Sequence, residues 1–215
     1  MSKKVLSIFI RYVMMDLMDP NPPLNTQSLV DEAELTALAA RYGNPVRWSR
    51  VLEIPPRMFG EREKALKKRR GETVLAIPRP GRRVLLHTKT FYPAGAYRLL
   101  SGGIEIGEGV EEGARREIRE ETGFSVQLSR FLGVVEYEFR DESHTAPWVS
   151  YLFLTEETGD LPQAIDSGEG IADFREIEWG GLVQVAEELE RLPGEWNAWG
   201  RFRAIPHRLA AEFAV

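Results

Sequence analysis

In "SGGIEIGEGVEEGARREIREETGFSV" (residues 101–126), the carboxylates Glu117, Glu120 and Glu121 stand at i, i+3 and i+4. On a helix this spacing projects all three from one side of a single turn. Like charges so placed repel by roughly a few tenths of a kcal/mol per pair on an open surface, and by more where water is scarce. Two arrangements relieve the repulsion. Arg115, Arg116 and Arg119 can neutralise the acids, with Arg116 well spaced to reach Glu120. Alternatively, a hard divalent cation can sit among the carboxylates, since Mg2+ prefers oxygen ligands and keeps several waters. Spacing alone leaves both open.

Positioning these side chains requires a helix over Val110 to Thr122. Val110, Ala114 and Ile118 supply a narrow apolar stripe that can dock on a sheet, and Gly123 supplies a left-handed C-terminal residue. Gly113 inside this helix costs about 1 kcal/mol relative to a better helix former. Ahead of the helix, Gly102, Gly103, Gly107 and Gly109 make a loop in which the backbone can turn tightly and approach a ligand closely.

Gly102, Glu108 and the run Arg116-Glu117-Ile118-Arg119-Glu120-Glu121-Thr122-Gly123-Phe124 together resemble the Nudix box, G-x5-E-x7-R-E-U-x-E-E-x-G-U, at every specified position. The box covers residues 102–124, and the strand pattern from about residue 72 to 180 is similar to the rest of that domain. The resemblance implies an α+β fold, a Nudix-type α/β/α sandwich around a mixed β-sheet. Residues 1–70 then form an N-terminal extension and residues 71–215 the Nudix domain.

By the same resemblance, the expected activity is Mg2+-dependent hydrolysis of a diphosphate bond in a nucleoside diphosphate derivative, with Mn2+ the alternative ion. Glu117, Glu120 and Glu121 would bind the metal, while Gly102, Glu108 and Arg116 would support the loop and orient the glutamates. The chemistry is self-consistent: a divalent cation neutralises a diphosphate that would otherwise repel hydroxide, and a free carboxylate takes the proton of the attacking water. Family members often keep the general base outside the box. In "LPQAIDSGEGIADF" that residue would be Glu169, with Asp166 as competitor and Glu156 and Glu157 behind it. In other members a box glutamate serves, which keeps Glu117 and Glu120 beside Glu169 in the catalytic set. Lys89 and Arg98, upstream of the box, are candidate phosphate contacts. One departure is Leu100-Ser101-Gly102 where many members have Pro-Gly-Gly. The residues that mark individual substrate subgroups are absent.

The wider composition narrows the partners. A formal net charge of −5 argues against nucleic acid polymers and anionic membranes and leaves room for a small phosphorylated ligand; that this ligand is a small nucleotide-type substrate is what the resemblance implies. The chain has no cysteine, which removes thiolate sites and fits a cytoplasmic location. The apolar N-terminal run is broken by Arg11 and Asp16, so "VLSIFI" is expected to be a strand or docking arm rather than a targeting signal. "DPNPPLNTQS" reads as a linker. A helix follows, with Ser28 and Asp31 at capping-box spacing, then the strand "VRWSRVLEI" and the basic helix "EREKALKKRRG". Further strands are expected on either side of Pro80-Gly81, in "FLGVVEYEF" (half exposed), "WVSYLFLTEE" and "FREIEW". "LVQVAEELERL" and "IPHRLAAEF", with Pro206 in its first turn, are expected as helices. The extension is expected to complete a homodimer. The alternative function is a Nudix-fold ligand sensor or interaction protein without hydrolysis.

Overall fold

The computed structural model describes residues 21–165 and 167–213; the segment "VLSIFI" and Asp166 lie outside them. Helix α1 (Glu32–Tyr42) starts at Asp31, whose carboxylate accepts from the Ala33 and Glu34 amides at 2.9 and 3.1 Å. Ser28 does not cap it. Its hydroxyl is bonded to Glu136 instead. Strand β1 (Val46–Glu53) leads into helix α2 (Pro56–Leu66). The basic run does not continue that helix: Arg69 and Arg70 already belong to β2 (Arg69–Ala76), where pairing to neighbouring strands outweighs helical propensity. Then come β3 (Pro78–Arg79), β4 (Arg83–Lys89), β5 (Leu100–Glu105) and α3 (Val110–Thr122). Strands β6 (Leu128–Arg140) and β7 (Thr145–Thr155) form a hairpin. A 3-10 turn (Ser167–Glu169) precedes β8 (Ile171–Glu178), and α4 (Leu182–Glu190) and α5 (Trp196–Ala211) follow.

Among the described residues the strands form two sheets. A five-stranded mixed sheet has the order β1-β6-β7-β2-β5, and a three-stranded antiparallel sheet the order β3-β4-β8. The strands of the larger sheet alternate between two cores. Val74, Ala76, Tyr137, Phe139 and Trp148 face α2, α4 and α5, whereas Leu75, Val134, Val149, Tyr151 and Phe153 face α1 and α3. This is an α/β/α sandwich. The stripe Val110, Ala114 and Ile118 is completely buried in the second core, which fixes the roll of α3 and hence the direction of its carboxylates.

Two further expectations fail for tertiary reasons. The β6 strand is not half exposed. Glu138 is fully buried because the chain at Asn25 and Thr26 crosses it and both amides donate to its carboxylate, at 2.5 and 2.7 Å, while Arg140 pairs with it at 2.6 Å. Pro206 is not in a first turn either, since α5 begins at Trp196 and carries Pro206 in its interior. The early start follows from Gly200: a Cβ there would lie 2.0 Å from the Leu189 carbonyl oxygen, so only glycine lets α5 seat against the end of α4.

Candidate active site

Helix α3 delivers the acids as the spacing predicts, but they do not share one environment. Glu117 and Glu121 are buried at 4% and 0% exposure, whereas Glu120 lies at the rim with its side chain 35% exposed. Helical geometry accounts for the difference, because Glu117 and Glu121 flank the Ile118 side of the helix and Glu120 is turned away from it.

The third carboxylate of the cluster comes from the 3-10 turn ahead of β8. In the β4–β8 ladder Lys89 is in register with Ile171, and the Thr90 amide donates to the Gly170 carbonyl at 2.8 Å. That pairing brings Glu169, at the end of the 3-10 turn, beside Lys89. One oxygen each of Glu117, Glu121 and Glu169 lies within 4.8 Å of the others. The Lys89 ammonium stands 2.9 Å from Glu121 and 2.5 Å from Glu169. Burial works against this cation, but Glu121 and Glu169 outweigh it and hold its pKa above the ordinary lysine value. His87, also fully buried, sits 3.9 Å from Glu121; burial, then Arg98 and Lys89, keep its pKa well below the usual range, so it is neutral.

Electrostatics make the cluster receptive to a cation. Burial raises the Glu117 pKa to about 7, with Glu121 and Glu169 adding to the effect and the Arg116 guanidinium opposing it. Burial likewise raises that of Glu121, against Lys89 and Arg98. One oxygen of Glu117 is buried with no hydrogen-bond partner among the described residues, and so is Oε2 of Glu121. Buried carboxylate oxygens left without donors are costly. Both belong to the carboxylates that place an oxygen within 4.8 Å of each other and of Glu169. The donor set is all oxygen, so it fits a hard divalent ion.

Around the acids the supporting residues form a closed frame. Arg116 uses all five of its N–H donors. Its Nε and Nη2 donate to Glu108 at 2.8 and 3.0 Å, Nη2 also to the Gly103 carbonyl at 2.8 Å, and Nη1 to Glu117 and Glu120 at 2.8 and 2.9 Å. The bonds to Glu108, foremost, raise the Arg116 pKa and in turn depress that of Glu108. Glu108 also accepts from the Glu105 amide at 2.9 Å. Its carboxylate runs close along Gly113, where a Cβ would lie 3.0 Å from it, so a residue unfavourable to helix propensity makes room for the brace. Gly102 lies directly beneath Glu117.

Arg98 faces inward. It is 3% exposed and donates to the Tyr92 hydroxyl, the Leu99 carbonyl and the Ser101 hydroxyl, so it holds the start of β5. Trp148 packs in the first core; Tyr92 and Tyr97 are partly buried against it, the Tyr97 hydroxyl bonded to Asp173 at 2.5 Å. Two buried groups with no local sequence signal complete the surroundings. His207 of α5 accepts from the Leu99 amide at 2.9 Å through Nε2, and its Nδ1 lies 2.7 Å from the Arg203 carbonyl, which assigns the proton to Nδ1. Arg203 spans Glu72 and Ser101, at 2.8 and 3.2 Å. A cavity of about 440 Å³, lined in part by Leu38, Arg41, Glu111 and Arg115, lies on the other side of α3 and does not contain the carboxylate cluster.

The NUDIX domain model matches residues 67–200, which take in β2, the whole frame around α3, and Glu169. The chain belongs to the Nudix family. Nudix relatives include an oxidized purine nucleoside triphosphate hydrolase of Danio rerio, 34% identical over 71 residues, covering 33% of this chain and 46% of that one. An ADP-ribose pyrophosphatase of Methanocaldococcus jannaschii is 30% identical over 105 residues, covering 49% of this chain and 59% of its own. An NAD-capped RNA hydrolase NudC of Haemophilus influenzae is 30% identical over 102 residues, covering 37% and 39% respectively. The matches thus span less than two thirds of each of these relatives. Among solved structures, the E. coli dihydroneopterin triphosphate pyrophosphohydrolase superposes with a TM-score of 0.48 at 16% identity, covering 68% of this chain and 96% of that one. A MutT Nudix hydrolase of Burkholderia pseudomallei gives 0.42 at 25% identity, covering 64% and 95%.

Proposed function

We propose that this protein hydrolyses a diphosphate bond in a nucleoside diphosphate derivative with Mg2+ as cofactor. The observation that carries the reading is the convergence of Glu117, Glu121 and Glu169 within 4.8 Å, with buried carboxylate oxygens of Glu117 and Glu121 left without donors. Glu117 and Glu121 would hold the ion. Two carboxylates are the usual protein share for Mg2+, the remaining positions going to water and substrate phosphates. Bound there, Mg2+ would supply charge neutralisation at the diphosphate and acidify a water.

The chain's own groups supply the rest. Glu169 approaches from the 3-10 turn ahead of β8 and its side chain is 29% exposed, so it accepts the proton of the attacking water and returns it to solvent. Lys89 neutralises Glu121 and Glu169 and offers its ammonium to the phosphate oxygens. Arg116 keeps Glu117 oriented and bonds Glu120 at the rim, where Glu120 shapes the field without belonging to the buried cluster. Arg98 orients the strand that carries Ser101 and Gly102.

Phosphate release measured with and without added phosphatase, across nucleoside diphosphate derivatives and triphosphates in Mg2+, tests the reading. Turnover is expected that EDTA abolishes and that falls at least a hundredfold in Glu117→Gln and Glu121→Gln. Nucleotide binding without turnover on any compound would overturn hydrolysis and favour a ligand sensor.

A further inference from the structure

Helix α3 has no side-chain cap of its own, because its N-cap is Gly109. The first amide is satisfied from outside the box. The Val110 N–H donates to Oε1 of Glu34, on α1, at 2.7 Å. Arg70 holds that carboxylate: its Nη2 donates to Oε1 at 2.9 Å and stands 2.8 Å from Oε2. The same guanidinium donates through Nε to the backbone carbonyl of Glu108 at 2.9 Å. Glu34 and Arg70 thereby grip the chain on both sides of Gly109. Both side chains are about three quarters buried, at 25% and 24% exposure, which shields the pair from solvent screening.

The far end of α1 is fastened to the same helix. The Tyr42 hydroxyl donates to Glu111 at 2.7 Å, and Arg41 pairs with Glu111 as well. Leu35 and Leu38 of α1 lie in the core that also contains Val110, Ala114 and Ile118. So α1 is registered against the first turn of α3 by apolar contact and by polar contacts at both of its ends.

We infer that Glu34 and Arg70 are positioning residues for the carboxylate site, with α1 acting as an external cap for the helix that bears Glu117 and Glu121. The inference rests on the metal reading of those glutamates. A continuous set of bonds transmits the effect. Glu34 and Arg70 fix the backbone at Glu108, the Glu108 carboxylate takes two bonds from Arg116, and Arg116 holds Glu117 at 2.8 Å. An anion at a helix N-terminus also complements the dipole, but that term falls off within a turn and does not reach Glu117 unaided. Partners that orient metal ligands from outside the coordination shell change metal affinity by about tenfold or more.

The test is Mn2+ binding to the full-length chain, followed by electron paramagnetic resonance with no substrate present. Thermal melting and amide exchange over residues 105–111 are measured alongside. Glu34→Ala is expected to weaken Mn2+ binding about tenfold and Arg70→Met by a similar factor. Glu34→Gln keeps an acceptor for Val110 but loses the ion pair, and should weaken it about threefold. Amide exchange at 105–111 should quicken in the same order. Met58→Ala is the control: it hollows the first core, on the face of the sheet away from α1 and α3, and lowers the melting temperature without touching the loop. It should leave Mn2+ affinity unchanged. If Glu34→Ala weakens Mn2+ binding no more than Met58→Ala does, the residue is merely structural and the inference is wrong. If instead Glu117→Gln and Glu121→Gln bind Mn2+ as the wild type does, it is the reading of the metal site that fails.

Discussion

The carboxyl carbon of Glu117 occupies the space that a side chain at Gly102 would need: a Cβ built on Gly102 would lie 1.7 Å from it. The box glycine and the box glutamate are therefore one fitted pair, set by the packing of α3 across β5. The requirement at Gly102 is close approach of a carboxylate rather than unusual backbone dihedrals.

Gly102→Ala should accordingly displace Glu117 and act on the site more than on the fold. A drop of at least a hundredfold in turnover is expected from an ångström-scale misplacement of this group. Mn2+ affinity should fall with it. Steady-state kinetics and a Mn2+ titration check both, and unchanged Mn2+ affinity would contradict the packing argument.

Arg116 makes bonds to Glu108, Gly103, Glu117 and Glu120 with a planar fork that lysine cannot copy. Arg116→Lys should keep the charge but lose most of the frame. Destabilisation by about 2 kcal/mol is expected, since charge-assisted bonds are the stronger kind. The effect on kcat should exceed that on KM. Urea unfolding and initial-rate measurements separate the two.

Glu117 links stability to pH. Its pKa is raised to about 7 in the folded chain, against 4.5 for the free side chain. The folded state thus holds a proton that the unfolded state has released between those values. The favourable contribution is complete below about pH 4.5 and disappears as pH rises through about 7. In EDTA, stability should therefore fall over this window by on the order of 3 kcal/mol. Glu117→Gln should flatten that slope, and millimolar Mg2+ should restore stability above pH 7. Denaturant titrations at half-unit pH steps provide the readout.

His207 has the opposite sign. Burial, with Arg98 and Arg203 contributing, lowers its pKa to about 3, against 6.5 for the free side chain. The unfolded chain binds a proton that the folded one refuses, so stability should decline as pH falls from about 6.5 toward 3. His207→Ala leaves the buried Leu99 amide without its acceptor and opens a cavity. It should cost about 2–4 kcal/mol at pH 7. The gap between wild type and variant should narrow by about 2 kcal/mol at pH 5, where the wild type has lost part of the benefit. A gap independent of pH would place the imidazole elsewhere.

Helix α3 was legible residue by residue. Its limits at Val110 and Thr122, its buried stripe and the left-handed Gly123 all follow from interactions within a few positions along the chain. The grouping of Gly102, Glu108, Arg116 and the three glutamates was equally visible as a pattern. What the pattern leaves out is which glutamates face inward. The roll of α3 on the sheet decides that, burying Glu117 and Glu121 and leaving Glu120 at the rim.

Other features depended on contacts between distant segments. Glu169 reaches the cluster because β4 and β8 pair in the register Lys89 to Ile171, and no local property of "DSGEG" specifies a partner strand. The alternation in β6 suggested a solvent face, yet Glu138 is buried by a chain segment over a hundred residues away in sequence. Pro206 resembled a helix start until Gly200 allowed α5 to begin earlier against α4. Glu34 and Arg70 carry no motif at all. The sequence by itself determined the chemistry available on α3, because helical spacing is a local property of the backbone. Tertiary structure decided which carboxylates meet, what braces them and what caps the helix, because those depend on strand register and on contacts that close long loops.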